Sequence, residues 1–372
     1  MLFNMEESEK KCFFDRTLEL ANLGWGNTHP NPMVGAVIVE EGEIAAEGYH
    51  QLAGSPHAEV EAIRCLGRTP KKGASIFVSL EPCSTTGRTP PCVQAILEAG
   101  IKKVYIGATD PNPSHSGRGI EILRQSGAYV EMACEEFQSR ATRLNFIFNH
   151  NITTGNPLIA LKLAESSNGM LAETSGQPSR ITENLARSNM MKWRRLFPAI
   201  CVGAGTVLAD NPSLTARLPE GIFCPVRLVL DATLSTFDDT FSSRTLYTDD
   251  FFSKTKVITT QTGSNNDIAV KRAEELGIHL FETEQDEHGR INLTSLREIL
   301  KELEVNALFC EGGAKIATSL LDHCVVDYLF RYRSPKIFDG PNPLKGPKLD
   351  NLSITDSISQ EFGDDTLLHG FL

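Results

Sequence analysis

No apolar run in this chain of 372 residues approaches the ~18–20 that a membrane-crossing helix needs, so the chain reads as soluble. Nor is there an excess of basic residues. Thirty-six Lys and Arg stand against 47 Asp and Glu, a net charge of −11 at pH 7, which argues against nucleic acid as the main partner. A dense, even cysteine framework is missing as well: nine cysteines are scattered from Cys12 to Cys324. That distribution excludes a small disulfide scaffold and makes reduced thiols the default. The first ten residues are acidic where a secretory signal is basic and then apolar, so a cytoplasmic location is expected. Internal repeats and low-complexity tracts are absent too.

What remains is a 41% hydrophobic, 22% charged chain, long enough for two domains at ~100–200 residues each. Apolar periodicity predicts a helix over 9–23, a hairpin of strands over 34–39 and 44–49, a helix over 56–66, a strand over 74–80, a helix over 90–99 and a strand over 103–108. Turn formers crowd 149–157, which predicts two domains, 1–150 and 151–372. Beyond them, strands are expected over 158–163, 199–202, 226–230, 256–259, 307–310 and 328–332, with helices over 183–195, 270–276, 295–303 and 314–324. Strand alternating with helix predicts α/β architecture in both domains.

Three residues have the chemistry of metal ligands. His57 opens one predicted helix, Cys83 follows a strand, and Cys92 lies in the first turn of the next helix. Three such ligands leave a fourth position for water on a catalytic zinc, which lowers the pKa of that water toward ~7. Helix N-termini at His57 and Cys92 favour the thiolate form that zinc requires. Glu59, two residues from His57 and not itself a ligand, is placed to take a proton from water and deliver it to a leaving amine. The chemistry expected is hydrolytic deamination. Deaminase signatures separate their two cysteines by two residues; here eight intervene, Ser84 to Pro91.

Glycine supplies the nucleotide signal in the second domain. Val202-Gly203-Ala204-Gly205-Thr206 follows one strand, and Cys310-Glu311-Gly312-Gly313-Ala314 follows another and opens a helix, an arrangement suited to phosphate. Neither is a Gly-x-Gly-x-x-Gly fingerprint, because Leu208 stands at the third glycine of the first, so a Rossmann domain is disfavoured.

Taken in order, His29-Pro30-Asn31-Pro32, Gly48-Tyr49-His50, His57-Ala58-Glu59, Glu81-Pro82-Cys83-Ser84, Gly87-Arg88-Thr89-Pro90-Pro91-Cys92 and Asp110-Pro111-Asn112-Pro113 resemble the bifunctional riboflavin-biosynthesis deaminase and reductase family. In the second domain Leu161-Lys162-Leu163-Ala164, Gly205 to Arg217 and Glu311-Gly312-Gly313 resemble its reductase half. The resemblance runs through nearly the whole chain. It implies a cytidine-deaminase-like first domain and a dihydrofolate-reductase-like second one, with one zinc and NADPH as cofactors. The implied substrate is a small molecule, 2,5-diamino-6-(5-phosphoribosylamino)pyrimidin-4-one, which loses its 2-amino group before its ribosyl group is reduced to ribityl. Neither nucleic acid nor membrane is an expected partner, and a homo-oligomer is compatible with all of this.

By the same resemblance Asn31, His50, Asp110 and Asn112 line the pyrimidine and ribose pocket, and Arg88 faces the phosphate. In the reductase, Lys162, Arg194, Leu214, Arg217 and Glu311 contact substrate, with Lys162 polarising the sugar carbon that receives hydride; Ala164, Thr206, Asp210 and the Gly312-Gly313 turn contact the cofactor. Singly, Asn31 and Asn112 are also good turn residues and Arg194 a helix-face charge. The chain departs from the family at Thr85, where relatives carry His, and at Asn168, Pro178 and Arg180 in the reductase. Three other readings stay open: a deaminase with an inactive second domain, a tRNA adenosine deaminase with an accessory domain, and a zinc-stabilised binding module.

Overall fold

A computed structural model describes residues 5–85, 90–238, 244–349 and 351–372. The chain divides into two compact units, Met1–Gly155 and Asn156–Leu372. Among the described residues, no helix is long and apolar enough to cross a membrane.

The first unit runs α1 (Glu7–Asn22), β1 (Gly35–Glu40), β2 (Glu43–Tyr49), α2 (Ala58–Leu66), β3 (Ser75–Leu80), α3 (Cys92–Glu98), β4 (Lys103–Ala108), α4 (Arg118–Gln125), β5 (Tyr129–Met132), α5 (Glu135–Leu144) and α6 (Phe146–Thr154). Its five strands lie in the order β2-β1-β3-β4-β5. The pairs β2–β1 and β1–β3 are antiparallel and the pairs β3–β4 and β4–β5 parallel. Central strands buried on both faces carry two alternating apolar sets. Ala36, Ile38, Ile76, Val78, Val104 and Ile106 pack with residues of α2, α3 and α4, whereas Val37, Val39, Phe77 and Tyr105 pack with residues of α1 and α5. The result is a three-layer domain with the ligand-bearing helices together on one face. Gly48 makes this possible, because a Cβ there would stand 2.3 Å from the backbone nitrogen of Ala62 in α2.

The region 109–154 carries more structure than its sequence pattern predicts. Residues 149–154, expected as turn, complete α6, which stops at left-handed Gly155. Their polar side chains bond back along the helix, Thr153 and Thr154 donating to the Asn149 and His150 carbonyls, so turn formers here fit a helix.

The second unit comprises β6 (Leu158–Glu165), β7 (Met170–Ala172), α7 (Asn184–Leu196), β8 (Ala199–Gly203), α8 (Ala204–Asp210), β9 (Ala216–Leu218), β10 (Gly221–Phe223), β11 (Val226–Leu230), α9 (Thr245–Thr248), β12 (Thr255–Thr260), α10 (Gln261–Ser264), α11 (Asp267–Glu275), β13 (His279–Thr283), α12 (Leu296–Glu302), β14 (Ala307–Cys310), α13 (Ala314–Asp322), β15 (Tyr328–Arg333), β16 (Leu344–Lys345), β17 (Thr355–Phe362) and β18 (Asp365–Phe371). Nine strands form one sheet in the order β13-β12-β11-β8-β14-β6-β15-β18-β17. It is parallel from β13 to β15 and closed by the antiparallel pairs β15–β18 and β18–β17. Because β14 inserts between β8 and β6, the chain direction across the sheet reverses there. Both glycine turns leave the carboxyl ends of β8 and β14 at that switch point, where open α/β sheets bind ligands.

Candidate active sites

His57 is the N-cap of α2 and Cys92 the first residue of α3, so the ends of two neighbouring helices face the Cys83 turn that leaves β3. The Cys83 and Cys92 sulfurs lie 3.6 and 3.3 Å from His57 Nδ1, and the three ligand atoms all fall within 4.8 Å of one another. The Cys92 backbone N–H donates to the Cys83 sulfur at 3.3 Å. The hydrogen bond from Cys92 pushes the Cys83 thiol down, and the bond to Cys83 pushes the Cys92 thiol up. Two soft sulfurs and one imidazole converging on a point suit a tetrahedral zinc. Among the described residues it is the one such group of three or more metal-ligating side chains. Cys92→Ser should therefore lower zinc from one equivalent to below about a tenth, as read by elemental analysis, because an alcohol is a poor zinc ligand.

Glu59, in the first turn of α2, is 3% exposed and within hydrogen-bond reach of Cys92. Burial pushes its carboxyl up to about 7, a shift that a cation beside it opposes. His50, just past the end of β2, is buried, and burial pushes its pKa down. Its Nδ1 sits 3.1 Å from the Pro56 carbonyl and its Nε2 3.1 Å from Asn31 Nδ2. The carbonyl requires the proton on Nδ1, so Nε2 accepts from Asn31. The ring meets His57 edge-to-face at 5.4 Å, which places Asn31 and His50 beside the ligand cluster.

Asp110 and Asn112 sit in the β4–α4 loop, and each also builds that loop. Asp110 Oδ1 accepts from the Asn112 N–H and Asn112 Oδ1 from the Ser114 N–H. Burial raises the Asp110 carboxyl. Arg88, Gly87 and Thr89 lie outside the described residues, and Thr85 is exposed.

In the second unit the structure gathers most of the expected reductase residues. Arg194 on α7 holds Glu311 through both carboxylate oxygens, the Nη2–Oε2 bond measuring 2.8 Å, and donates to the Thr215 carbonyl at 3.0 Å. Those three bonds leave two of its five N–H groups. Lys162 lies on interior strand β6, not at a sheet edge, 5.8 Å above the Tyr332 ring. Burial pushes its ammonium pKa down while Glu311 opposes that. Leu214 is 1% exposed with φ 49°, a left-handed backbone costly for a branched side chain. Arg194 holds the carbonyl after it, and Arg227 Nη1 holds the Ser213 carbonyl before it at 3.0 Å. Arg217 is exposed and donates to the Ser213 and Thr215 hydroxyls.

On the cofactor side, a Cβ at Gly313 would stand 3.4 Å from Thr206 Oγ1, so the two glycine turns are neighbours. Asp210 follows Thr206 by one turn of α8, on the same face, and Ala164 lies on β6. A nucleotide fits this edge in kind, with a hydroxyl, bare backbone and the first turn of α13 side by side. Asn168 holds the Phe338 main chain, accepting from its N–H and donating to its carbonyl, and also accepts from the Ser166 hydroxyl. Pro178 is exposed, and Arg180 donates to Asn184. The roles of two residues escaped the sequence reading: that of Arg227, signalled by a lone charge inside an apolar strand, and that of Glu81, whose carboxylate bonds the β4–α4 loop.

Residues 157–368 match the model of the RibD C-terminal domain, and residues 7–108 match the cytidine and deoxycytidylate deaminase zinc-binding region. The chain belongs to the RibD family. A riboflavin biosynthesis protein RibD of Bacillus amyloliquefaciens is 39% identical over 89% of this chain and 86% of its own length; that of Escherichia coli K12 is 36% identical over 88% of each. Acinetobacter baumannii RibD superposes with a TM-score of 0.79 over 99% of both chains at 29% identity. A Thermotoga maritima diaminohydroxyphosphoribosylaminopyrimidine deaminase/5-amino-6-(5-phosphoribosylamino)uracil reductase superposes with a TM-score of 0.79 over 98% of both at 32% identity. Within this RibD-family chain the first unit is thus cytidine-deaminase-like with a zinc region, and the second is the reductase domain.

Proposed function

We propose that the chain catalyses two successive steps of riboflavin biosynthesis. The first unit deaminates 2,5-diamino-6-(5-phosphoribosylamino)pyrimidin-4-one by hydrolysis, and the second reduces the ribosyl group of the product to ribityl. The observation that carries the reading is the convergence of His57, Cys83 and Cys92 with a buried carboxylate, Glu59, beside them.

His57, Cys83 and Cys92 would hold a zinc, which would make a bound water nucleophilic at neutral pH. Glu59 takes a proton from the attacking water and delivers it to the departing 2-amino group, which leaves as ammonia. Asn31 and His50 orient the base edge, Asp110 and Asn112 the ribose side, and Arg88 the phosphate. In the second unit Ala164, Thr206, Asp210 and Gly312-Gly313 would hold NADPH, which would supply the hydride for the sugar carbon. Lys162 polarises the open-chain imine there, Glu311 keeps that ammonium charged and Leu214 shapes the wall, while Arg194 and Arg217 receive the phosphate. The substrate is a small molecule, with no nucleic-acid or membrane partner, and a homo-oligomer is compatible with the two units. Nine free cysteines support a cytoplasmic address.

Incubation with the diaminopyrimidine phosphate, zinc and NADPH should release ammonia and consume NADPH in equal amounts. Ammonia release with no NADPH loss, at any pH from about 6 to about 9, would leave a deaminase with an inactive partner unit.

A further inference from the structure

Glu81 is buried at the end of β3, two residues before Cys83, and its carboxylate touches none of the ligand atoms described above. Instead both oxygens accept from backbone N–H groups far along the chain. Oε2 takes Asp110 at 3.1 Å and Gly117 at 2.9 Å; Oε1 takes Gly119 at 2.8 Å and Ile120 at 3.3 Å. The first pair closes the 110–117 loop on itself. The second caps α4, whose own N-cap, Gly117, has no side chain for the task. Gly119 fits the same contact, since a Cβ there would meet the Pro82 carbonyl at 2.3 Å.

Helix N-termini left without acceptors fray, and the backbone bonds within the loop, from the His115 and Ser116 N–H groups to the Asn112 carbonyl, do not tie it to β3. Four charge-assisted bonds from one buried carboxylate therefore fix where the loop stands against the ligand turn. We infer that Glu81 is a positioning residue of the deaminase: it holds the β4–α4 loop so that Asp110 and Asn112 face the ribose side of the substrate, and so governs substrate affinity rather than the metal or the proton transfer. The inference rests on the proposed substrate role of Asp110 and Asn112. The Cys83 turn itself is carried by backbone, through the Glu81 N–H to the Ala108 carbonyl and the Val93 N–H to the Cys83 carbonyl. Zinc retention is thus independent of the Glu81 side chain.

Glu81→Gln tests this, because an amide in either orientation turns an NH2 toward two N–H donors. Zinc content should stay at wild type, the KM for ammonia release should rise about tenfold or more, and kcat should change by less than about threefold. Hydrogen exchange over 110–120 should quicken while that over 57–66 and 90–98 does not. Asp110→Ala should raise KM by itself, and adding Glu81→Gln to it should raise KM by less than the product of the two single effects, since the Asp110 contact is lost only once while that of Asn112 is still displaced. Zinc loss, or unchanged exchange over 110–120, overturns the inference, and Glu81→Ala, read by exchange and zinc content, separates the same two outcomes if Glu81→Gln is poorly soluble. Quickened exchange with wild-type KM in Asp110→Ala refutes instead the substrate role of the loop.

Discussion

Glu59→Gln is expected to keep its zinc and to release ammonia about 100- to 10,000-fold more slowly than wild type, the range that a positioned acid–base group contributes. The amide preserves size and burial in the first turn of α2, and His57, Cys83 and Cys92 are untouched, so elemental analysis should still find one zinc per chain. What is lost is a proton carrier used twice, once as water attacks and once as the amine departs, which argues for the upper end of that range. The same variant separates the readings left open by the sequence. A zinc module that serves folding alone is indifferent to Glu59, whereas a deaminase is not. Retention of more than about a tenth of the wild-type rate with full zinc would remove Glu59 from this role.

The deaminase half was legible because its chemistry depends on residue types that few other roles require. A His-x-Glu at a helix start, a Pro-Cys after a strand and a second cysteine entering a helix carry their geometry with them, and the structure brings all three ligand atoms within 4.8 Å. Strands β1, β3 and β4 were legible for a similar reason, since buried apolar runs read plainly. Legibility failed where apolar signal is thin. Helix α5 buries only Phe137 and Ala141, and β17 is exposed along most of its length, held by its ladder to β18 rather than by an apolar face. Glu81 was visible as part of a motif, but its four partners lie 29 to 39 residues away, and no local pattern announces them. Arg227 is similar: a guanidinium with no exposed surface, paired with Asp249 and bonded to three other groups, becomes intelligible only once β11, β12 and the Leu214 segment are assembled around it.

Lys162→Ala is expected to release ammonia at the wild-type rate and to accumulate the deaminated ribosylaminouracil phosphate, with NADPH consumption reduced about 100-fold or more. The ligand cluster draws on residues 57–92, whereas Lys162 lies within β6 and Glu311 just past the carboxyl end of β14, in the other unit. Glu311→Gln should show the same split for a different reason. It removes the carboxylate that Arg194 holds through two bonds and whose charge opposes the effect of burial on Lys162, so the ammonium loses its counterion. The pH profile reports which residue acts. Burial lowers the Lys162 pKa, so the charged form is lost as pH rises, sooner than for an exposed lysine at 10.5. Reduction by wild type should therefore decline on the alkaline side below that value, and Glu311→Gln should move the decline to lower pH, because the negative charge that opposes burial is gone. A Glu311→Gln profile that coincides with wild type, or a Lys162→Ala variant that still consumes NADPH at more than about a tenth of the wild-type rate, would place the polarising charge elsewhere in the second unit.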